Sequence, residues 1–396
     1  MKRVNGLFHQ ICSFKNLHSA WKKAQKGKRL KKSVLFFNFN LERELIQLQE
    51  ELLAKTYKPG KYTEFSIYER KPRKISAAPF RDRVVHHALI NIVEPIFEKK
   101  FIFDSYACRV GKGTHSGVNR YCSFLIKNKY ALKCDIKKYF PSIDREILKE
   151  KIRKKIKDKD CLWLFDLIID SGNSQLPIAD YFPGDDLFTP YERRKGIPIG
   201  NLTSQFFANV YLNDLDHFVK ESLHCRYYIR YVDDFVFLDN DKKKLRHLYA
   251  KVIKFLEKDR LKISHEKTII TPVSEGIDLL GYRIFPDYRK VRKDNAFRFM
   301  RKLRRFQKMY NEWEVGWDDI NPSVQSWIGH ATHANTYHLR EKIFNSIAFT
   351  RGAGKKKVLR GGSWNNKPKN LRATNRNRNK PDKRNNNNGF RIAQDT

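Results

Sequence analysis

The stretch Arg-Tyr-Tyr-Ile-Arg-Tyr-Val-Asp-Asp-Phe-Val-Phe-Leu-Asp, residues 226–239, places two adjacent carboxylates, Asp233 and Asp234, between two runs of β-forming residues. Asp is a favoured turn residue, so an isolated Asp-Asp pair most often marks only a hairpin. Here no Gly follows the pair, and Tyr231 and Phe235 bring apolar groups close to it. Adjacent carboxylates in apolar surroundings repel each other and attract a cation. The stretch therefore predicts a hairpin whose turn carries functional charge.

A third carboxylate, Asp135, stands in a similar place. It ends the strand-like run Tyr-Ala-Leu-Lys-Cys-Asp and precedes Ile-Lys-Lys-Tyr-Phe. Taken alone, Asp135 is equally compatible with a residue that caps the next turn. Together with Asp233 and Asp234 it offers hard oxygen ligands for two Mg²⁺ ions. Two such ions, about 3.5–4 Å apart, bind the attacking and leaving oxygens of a phosphoryl displacement. The three residues thus predict phosphoryl transfer.

Composition points to the same class of substrate. The chain has 396 residues and a net charge of +38, and 40% of it is hydrophobic and 13% aromatic. This apolar content excludes a wholly disordered basic protein and suggests two or three domains. So basic a surface attracts nucleic acid or an anionic membrane. No apolar stretch approaches about 18 residues, so no membrane span is expected. The six scattered cysteines and the lack of a signal peptide predict reduced thiols in the cytoplasm.

The hydrophobic pattern predicts a mixed α and β body. Leucines from Leu41 to Leu52 share one helical face after a candidate N-cap, Asn40. Other helices are predicted at 84–93 and 201–218, strands are predicted at 62–68, 130–136, 225–232 and 235–238, and residues 286–349 are predicted to be helical and basic.

Tyr-Val-Asp-Asp-Phe, preceded about a hundred residues earlier by Asp-Ile-Lys-Lys-Tyr-Phe, resembles the catalytic core of reverse transcriptases. The ordered blocks extend over most of residues 30–350. The resemblance implies an α+β fold, a right hand of fingers, palm and thumb whose antiparallel palm sheet carries the three Asp residues. The implied reaction is attack of a primer 3′-hydroxyl on the α-phosphate of a dNTP, with an RNA template and an RNA–DNA duplex as partners.

This resemblance also implies a domain organisation. We expect an N-terminal helical extension at 1–60, fingers and palm at 61–285, a helical thumb at 286–350 and a basic Asn-rich tail, without a fixed structure, at 351–396. Within the palm, residues 279–282 resemble the primer-grip hairpin.

Individual roles follow where the motifs match. Phe140 occupies the position of an aromatic gate that excludes a ribose 2′-hydroxyl. Lys71 and Arg73 resemble fingers residues that hold the triphosphate, although a solvated basic loop explains them equally well. Lys267 matches a lysine proposed to protonate the leaving pyrophosphate. The implied catalytic residues are Asp135, Asp233, Asp234 and Lys267; the metal ligands are Asp135, Ile136, Asp233 and Asp234; the substrate-binding residues are Lys71, Arg73, Phe140, Ile199, Gly200, Gln205 and Tyr231.

The block Gly-Ile-Pro-Ile-Gly-Asn-Leu-Thr-Ser-Gln, residues 196–205, is similar to that of reverse transcriptases from diversity-generating retroelements. Most retroviral and intron relatives have Gln where Ile199 stands. An aliphatic side chain lacks the polar contact that Gln makes, and specificity is a difference in such contacts. The resemblance implies misincorporation opposite template adenines.

The tail supplies a second resemblance. From Arg351 it has seven Arg, seven Lys, two Asp and ten Asn, a net charge of +12. Its Arg-Gly-Gly-Ser-Trp and Gly-Phe-Arg segments resemble the end of the formylglycine-generating-enzyme-like lectin domains that these elements diversify. We interpret it as a translated template repeat; a disordered RNA-binding tail is the alternative.

Two other functions stay open at this point. One is a reverse transcriptase of another bacterial class, from a group II intron, a retron or a phage-defence system. The other is an RNA-binding scaffold with a degenerate polymerase fold, against which the three carboxylates argue. Relatives also work with a small, basic accessory protein, which this chain is expected to share.

Overall fold

A computed structural model describes residues 3–68, 72–172, 180–347 and 349, and the backbone of three short strands between residues 357 and 393. Contacts within the chain divide it into two compact units, Met1–Val273 and Ser274–Thr396.

The first unit begins with four helices, followed by a β-hairpin. Their bounds are α1 Phe8–Cys12, α2 Phe14–Ala24, α3 Lys32–Phe39, α4 Leu41–Leu53, β1 Thr63–Tyr68 and β2 Pro72–Ala77. Helix α4 buries Leu45, Leu48 and Leu52, as the leucine spacing predicts. Asn40 occupies the N-cap position of α4, as predicted, and its carbonyl accepts from the Glu44 N–H at 2.9 Å, but its side chain accepts no capping hydrogen bond. Asn40 is the single residue between α3 and α4, and its φ of −111° and ψ of 30° differ from the extended backbone that a capping side chain usually requires.

Further helices and four strands complete the first unit. They are α5 Phe80–Glu98, α6 Thr114–Leu125, β3 Tyr130–Asp135, α7 Tyr139–Ser142, α8 Arg145–Arg153, α9 Lys159–Ser171, α10 Thr189–Glu192, α11 Leu202–His217, β4 Tyr228–Tyr231, β5 Asp234–Asp239, α12 Lys242–Lys258 and β6 Ile269–Pro272. A π-helical turn, Phe218–Ser222, extends α11, and a 3₁₀ turn, His265–Lys267, precedes β6. The helices predicted at 84–93 and 201–218 are confirmed.

A four-stranded antiparallel sheet in the order β4-β5-β3-β6 organises this unit. Strand β5 reads as a continuous apolar run, and Phe235, Val236 and Phe237 are fully buried. Helix α11 buries most of its length, including Phe207 and Tyr211, in the same core. The sheet is therefore held rigidly at the end where β3 finishes and β5 starts.

Between residues 274 and 347, the second unit holds a three-stranded antiparallel sheet and three helices. Their bounds are β7 Ile277–Leu279, β8 Tyr282–Ile284, β9 Arg289–Val291, α13 Lys293–Asn311, α14 Trp317–Ala331 and α15 Tyr337–Asn345. The hairpin predicted at 279–282 is confirmed. The region predicted to be helical from Pro286 begins instead with β9, which pairs with β8.

The tail enters the description only as backbone. Strands β10 Lys357–Arg360, β11 Arg376–Asn379 and β12 Ile392–Ala393 pair in the order β11-β10-β12. A tail without fixed structure was expected after residue 350. Apart from these three strands, the residues of the tail lie outside the described residues.

Two general properties complete the fold. No helix within the described ranges is long and apolar enough to cross a membrane. All six cysteines are free thiols.

Candidate active site

The two strands of the 226–239 stretch meet in a two-residue turn. Tyr231 pairs with Asp234 across β4 and β5, which leaves Val232 and Asp233 as the turn residues. Val232 has a φ of 56°, a left-handed conformation that β-branched residues rarely adopt. Tight hairpin turns require positive φ values, so the backbone of Val232 accepts strain to close this one. The predicted hairpin is confirmed, with Asp233 in the turn and Asp234 as the first residue of β5.

The third carboxylate lies at the same end of the sheet. Asp135, the last residue of β3, is the register partner of Asp234. The backbone N–H of Ile136 donates to the carbonyl of Asp233 at 3.4 Å, which ties the end of β3 to the turn. The structure thus brings Asp135 to the Asp233–Asp234 pair, which lies about a hundred residues later in the chain.

Two lysines supply positive charge to these carboxylates. Lys267 Nζ donates to Asp135 Oδ1 at 2.5 Å, and Lys133 Nζ lies 3.6 Å from Asp234 Oδ1. Lys267 is among the residues predicted from the sequence, whereas Lys133 is not. Because side chains two residues apart on a strand share a face, the spacing of Lys133 and Asp135 was a usable signal.

The proximity of the carboxylates shows in the pKa values of Asp233 and Asp234. Burial, followed by the negative charges of Asp234 and Asp135, raises the pKa of Asp233 to about 6. Burial also raises the pKa of Asp234, while Lys133 opposes the increase. This is the electrostatic setting in which a bound cation relieves repulsion.

The donor chemistry of this group fits a hard divalent cation, since it consists of carboxylate oxygens, and the charge of Asp135 raises the pKa of both Asp233 and Asp234. The arrangement is not preassembled, however. Within the described ranges, no group of three or more His, Cys, Asp or Glu side chains is placed to hold a metal ion. Lys267 and Lys133 provide the countercharge instead. The predicted ligand set of Asp135, Ile136, Asp233 and Asp234 stays a prediction.

Phe140 lies on the short helix α7 and is half-buried, with its ring edge-to-face against Tyr139 at 5.7 Å. Its carbonyl accepts a hydrogen bond from the Ile197 N–H at 3.1 Å. Phe140 is therefore joined through its backbone to the 196–205 block. One part of its ring is packed on the core and another part is accessible, as its predicted role as a gate requires.

The 196–205 block contacts the β1–β2 hairpin. The carbonyl of Ile199 accepts a hydrogen bond from the Ser76 N–H of β2 at 3.0 Å. Gly200 has a φ of +114°, and a Cβ at this position would lie 2.8 Å from Ile75 Cγ2. Both the backbone angle and the close approach require Gly at residue 200.

The other predicted substrate-binding residues are spread around this framework. Arg73 is exposed on β2 and Gln205 is exposed on the first turn of α11. The Tyr231 hydroxyl lies 3.2 Å from Thr114 Oγ1 of α6. Lys71 lies outside the described residues. These positions leave the predicted roles as predictions.

Arg230 is a further residue of this region that is not among the sites predicted from the sequence. Its guanidinium is completely buried and forms an ion pair with Asp216, whose side chain is equally buried. A charged residue within the apolar run of β4 was the only sequence signal, because the partner comes from a different element.

Two family models match the chain. The model for reverse transcriptase, an RNA-dependent DNA polymerase, matches residues 58–284, which include all three carboxylates and the four-stranded sheet. The model for the sulfatase-modifying factor enzyme 1-like domain matches residues 278–396. This second match includes α13, α14 and α15, so it extends well beyond the tail to which the sequence resemblance was assigned.

Individual relatives are distant. The chain is 24% identical to protein YkfC of Escherichia coli over 302 residues, which is 65% of this chain and 74% of YkfC. It is 22% identical to the group II intron-encoded protein LtrA of Lactococcus lactis subsp. cremoris over 330 residues, 67% of this chain. The chain spans 52% of the length of LtrA.

Among solved structures, apo telomerase from Candida tropicalis is similar with a TM-score of 0.42 at 15% identity, covering 60% of this chain and 48% of the telomerase chain. The reverse transcriptase model by itself covers more than half of the chain, and the four-stranded sheet with its carboxylates is the palm of a right-hand polymerase fold. The chain therefore belongs to the reverse transcriptase (RNA-dependent DNA polymerase) family.

Proposed function

We propose that this reverse transcriptase belongs to a diversity-generating retroelement and copies a template-repeat RNA into cDNA that is mutated opposite adenines. The observation that carries the proposal is the presence, in one chain, of a reverse transcriptase match and a sulfatase-modifying factor match. The resemblance of the tail implies that domains of the latter type are the ones that such elements diversify. The proposal explains why a polymerase chain ends in a sequence related to an unconnected enzyme family.

The carboxylate group supports the polymerase chemistry. Asp135, Asp233 and Asp234, with the backbone of Ile136, would hold two Mg²⁺ ions, which when bound stabilise the charge on the attacking and leaving oxygens. Asp233 must lose its proton to act as a ligand, and its pKa of about 6 permits this at neutral pH. Lys267, with Nζ at Asp135 and a half-exposed side chain, is able to turn from Asp135 toward a leaving pyrophosphate.

Infidelity has a candidate origin in the 196–205 block. The Ile199 backbone is held by Ser76 of β2, so its half-buried side chain is confined to a defined place beside Gly200. An aliphatic group at that place offers no hydrogen bond to a nascent base pair. The free-energy difference between a correct and an incorrect base pair is then smaller with Ile at residue 199 than with Gln.

The test is primer extension on an RNA template with all four bases, followed by sequencing of the cDNA. We expect errors concentrated at template adenines, in a reaction that also requires a divalent cation and falls steeply with salt concentration. An error rate that is the same at all four template bases would contradict the assignment to a diversity-generating retroelement while leaving the polymerase assignment intact. The assay is run with and without the element's small basic accessory protein.

A second candidate is a group II intron reverse transcriptase. The similarity to LtrA over 67% of this chain favours it. It predicts accurate copying at adenine and specific binding of a structured intron RNA. The same sequencing experiment therefore separates the two candidates.

A further inference from the structure

Arg230 lies directly beneath the turn that carries Asp233. It is on β4, two residues before Val232, and its side chain has no exposed surface. Polar and charged side chains are rarely so buried unless they are paired. The partners of Arg230 therefore indicate what the charge does at this place.

Helix α11 provides the anchor. Arg230 Nε and Nη2 donate to the two carboxylate oxygens of Asp216 at 2.8 and 2.6 Å, a bidentate fork. Arg230 Nη1 donates to Asn209 Oδ1 at 3.2 Å, and the Tyr228 hydroxyl donates to Asp216 Oδ1 at 2.8 Å. Asp216 and Asn209 lie seven residues apart on α11, and so share a face. The guanidinium is consequently fixed in position and in rotation.

The remaining contact reaches the turn. Arg230 Nη1 also donates to the carbonyl of Val232 at 3.0 Å. Val232 is the residue with a φ of 56°, and its carbonyl belongs to the peptide that joins it to Asp233. A donor at that carbonyl favours the strained conformation over relaxed ones. The backbone of Arg230 is itself held on both sides, because its N–H donates to the Asp104 carbonyl and its carbonyl accepts from the Tyr106 N–H.

We propose that Arg230 is a positioning residue for the polymerase reaction. It orients the Val232–Asp233 peptide and, through this peptide, the carboxylates of Asp233 and Asp234. The chain of contacts runs from α11, through the Asp216–Arg230 fork, to the turn. The inference rests on the proposed catalytic role of Asp233 and Asp234.

Stability by itself gives a poor account of this arrangement. A buried ion pair loses the hydration of both charges, and replacing both partners by apolar residues of similar size is often neutral or stabilising. The geometric link to the Val232 carbonyl would be lost in such a replacement. The two roles can therefore be separated by removing the ion pair as a unit.

The decisive variant is Arg230→Met combined with Asp216→Leu, which leaves no unpaired buried charge. We expect a melting temperature near that of the parent and an unchanged Kd for the template–primer duplex. We also expect a kcat per active site lowered about 10- to 100-fold, the scale on which small displacements of reacting groups act. A kcat within about twofold of the parent would overturn the proposal, since it would show that the fork serves folding alone.

Arg230→Lys provides a second measurement that does not depend on the double variant folding. An ammonium group pairs with Asp216 but lacks the planar fork that reaches Val232 at the same time. A lowered kcat at a parental melting temperature supports the proposal, and a parental kcat overturns it. The matched control is Arg260→Met combined with Asp185→Leu. Arg260 Nη1 and Nη2 donate to the two carboxylate oxygens of Asp185 at 2.6 and 2.7 Å, which is also a bidentate pair. We expect its kcat to equal that of the parent.

Asp233→Asn separates failure of this inference from failure of the proposed catalytic site. If Asp233→Asn extends primers normally, the catalytic role of the carboxylates is wrong. If Asp233→Asn is inactive and the Arg230 variants match the parent in kcat, only the positioning role is wrong.

Discussion

Asp135 and Asp234 are direct partners across the antiparallel strands β3 and β5, one as the last residue of its strand and the other as the first. Directly opposite Cβ atoms in such pairs lie about 4.5–5.5 Å apart, and like charges at that distance are destabilising. Lys267 and Lys133 offset the repulsion. Asp135 and Asp234 are therefore held opposite each other against their mutual repulsion, with the two lysines as countercharge.

Asp233→Asn tests the catalytic role of the turn. The substitution keeps the size of the side chain and removes its charge, so we expect primer extension to fall by about 10²–10³-fold or more, the scale on which lost transition-state charge stabilisation acts. Single-nucleotide incorporation measures it. Asp239→Asn, at the far end of β5 and paired with Lys244, is the control and should retain activity. Equal incorporation by the Asp233 variant and the parent would refute the role.

Ile199→Gln tests the origin of infidelity. A side-chain amide restores a polar contact beside the nascent pair, and we expect misincorporation opposite template adenine to fall about 10-fold. Deep sequencing of cDNA made on one RNA template measures the error spectrum. Ile199→Leu keeps the apolar character and should keep the errors. An unchanged spectrum in the Gln variant would show that the infidelity arises elsewhere.

Gly200→Ala tests the contact between the 196–205 block and β2. We expect a loss of activity of about 10-fold or more, because the new Cβ would displace Ile75 and with it the β1–β2 hairpin. Gly113→Ala is closely matched, since Gly113 has a φ of +109° and open space at the Cβ position. It should show only the backbone strain of a φ of 109° with a ψ of −175°, about 1–3 kcal/mol of unfolding free energy. If the two variants have equal kcat, the contact with Ile75 has no functional weight.

Acid should destabilise the protein through His86. Its side chain is 2% exposed, and burial lowers its pKa from 6.5 to about 3, with His87 and Arg83 adding to the decrease. Below pH 6.5 the unfolded chain binds a proton that the folded protein does not, so stability is complete above pH 6.5 and falls as the pH falls. Between pH 6.5 and 5 this group by itself costs about 2 kcal/mol.

His86→Leu should remove about 2 kcal/mol of the stability lost on acidification, while His87, whose pKa burial lowers to about 4, keeps its own contribution. Urea unfolding at pH 7 and pH 5 measures the difference. His338→Leu, whose side chain is 94% exposed, is the control and should behave as the parent does. A His86→Leu variant that loses as much stability on acidification as the parent would assign the effect to other groups.

Local features of this protein could be predicted well from its sequence. The hairpin at 226–239, the strand that ends at Asp135 and the helix now seen as α11 follow from alternation and helical spacing, which are properties of neighbouring residues. The three carboxylates were identified for the same reason, since each lies at a recognisable strand end. Asn40 was placed correctly at the start of α4, but its side chain forms no capping hydrogen bond because the same residue ends α3 and its backbone is not extended.

The sequence by itself determined that this chain would be a basic, mixed α and β protein with three acidic residues at strand ends. The tertiary structure decided which charges meet: Lys267 with Asp135, Lys133 with Asp234 and Arg230 with Asp216. It also decided that Gly200 would touch Ile75. The physical reason is that charge pairing and close packing join residues from different elements. Whether two such residues come into contact depends on how the sheet and helices pack, and the local periodicity of the sequence does not specify this packing.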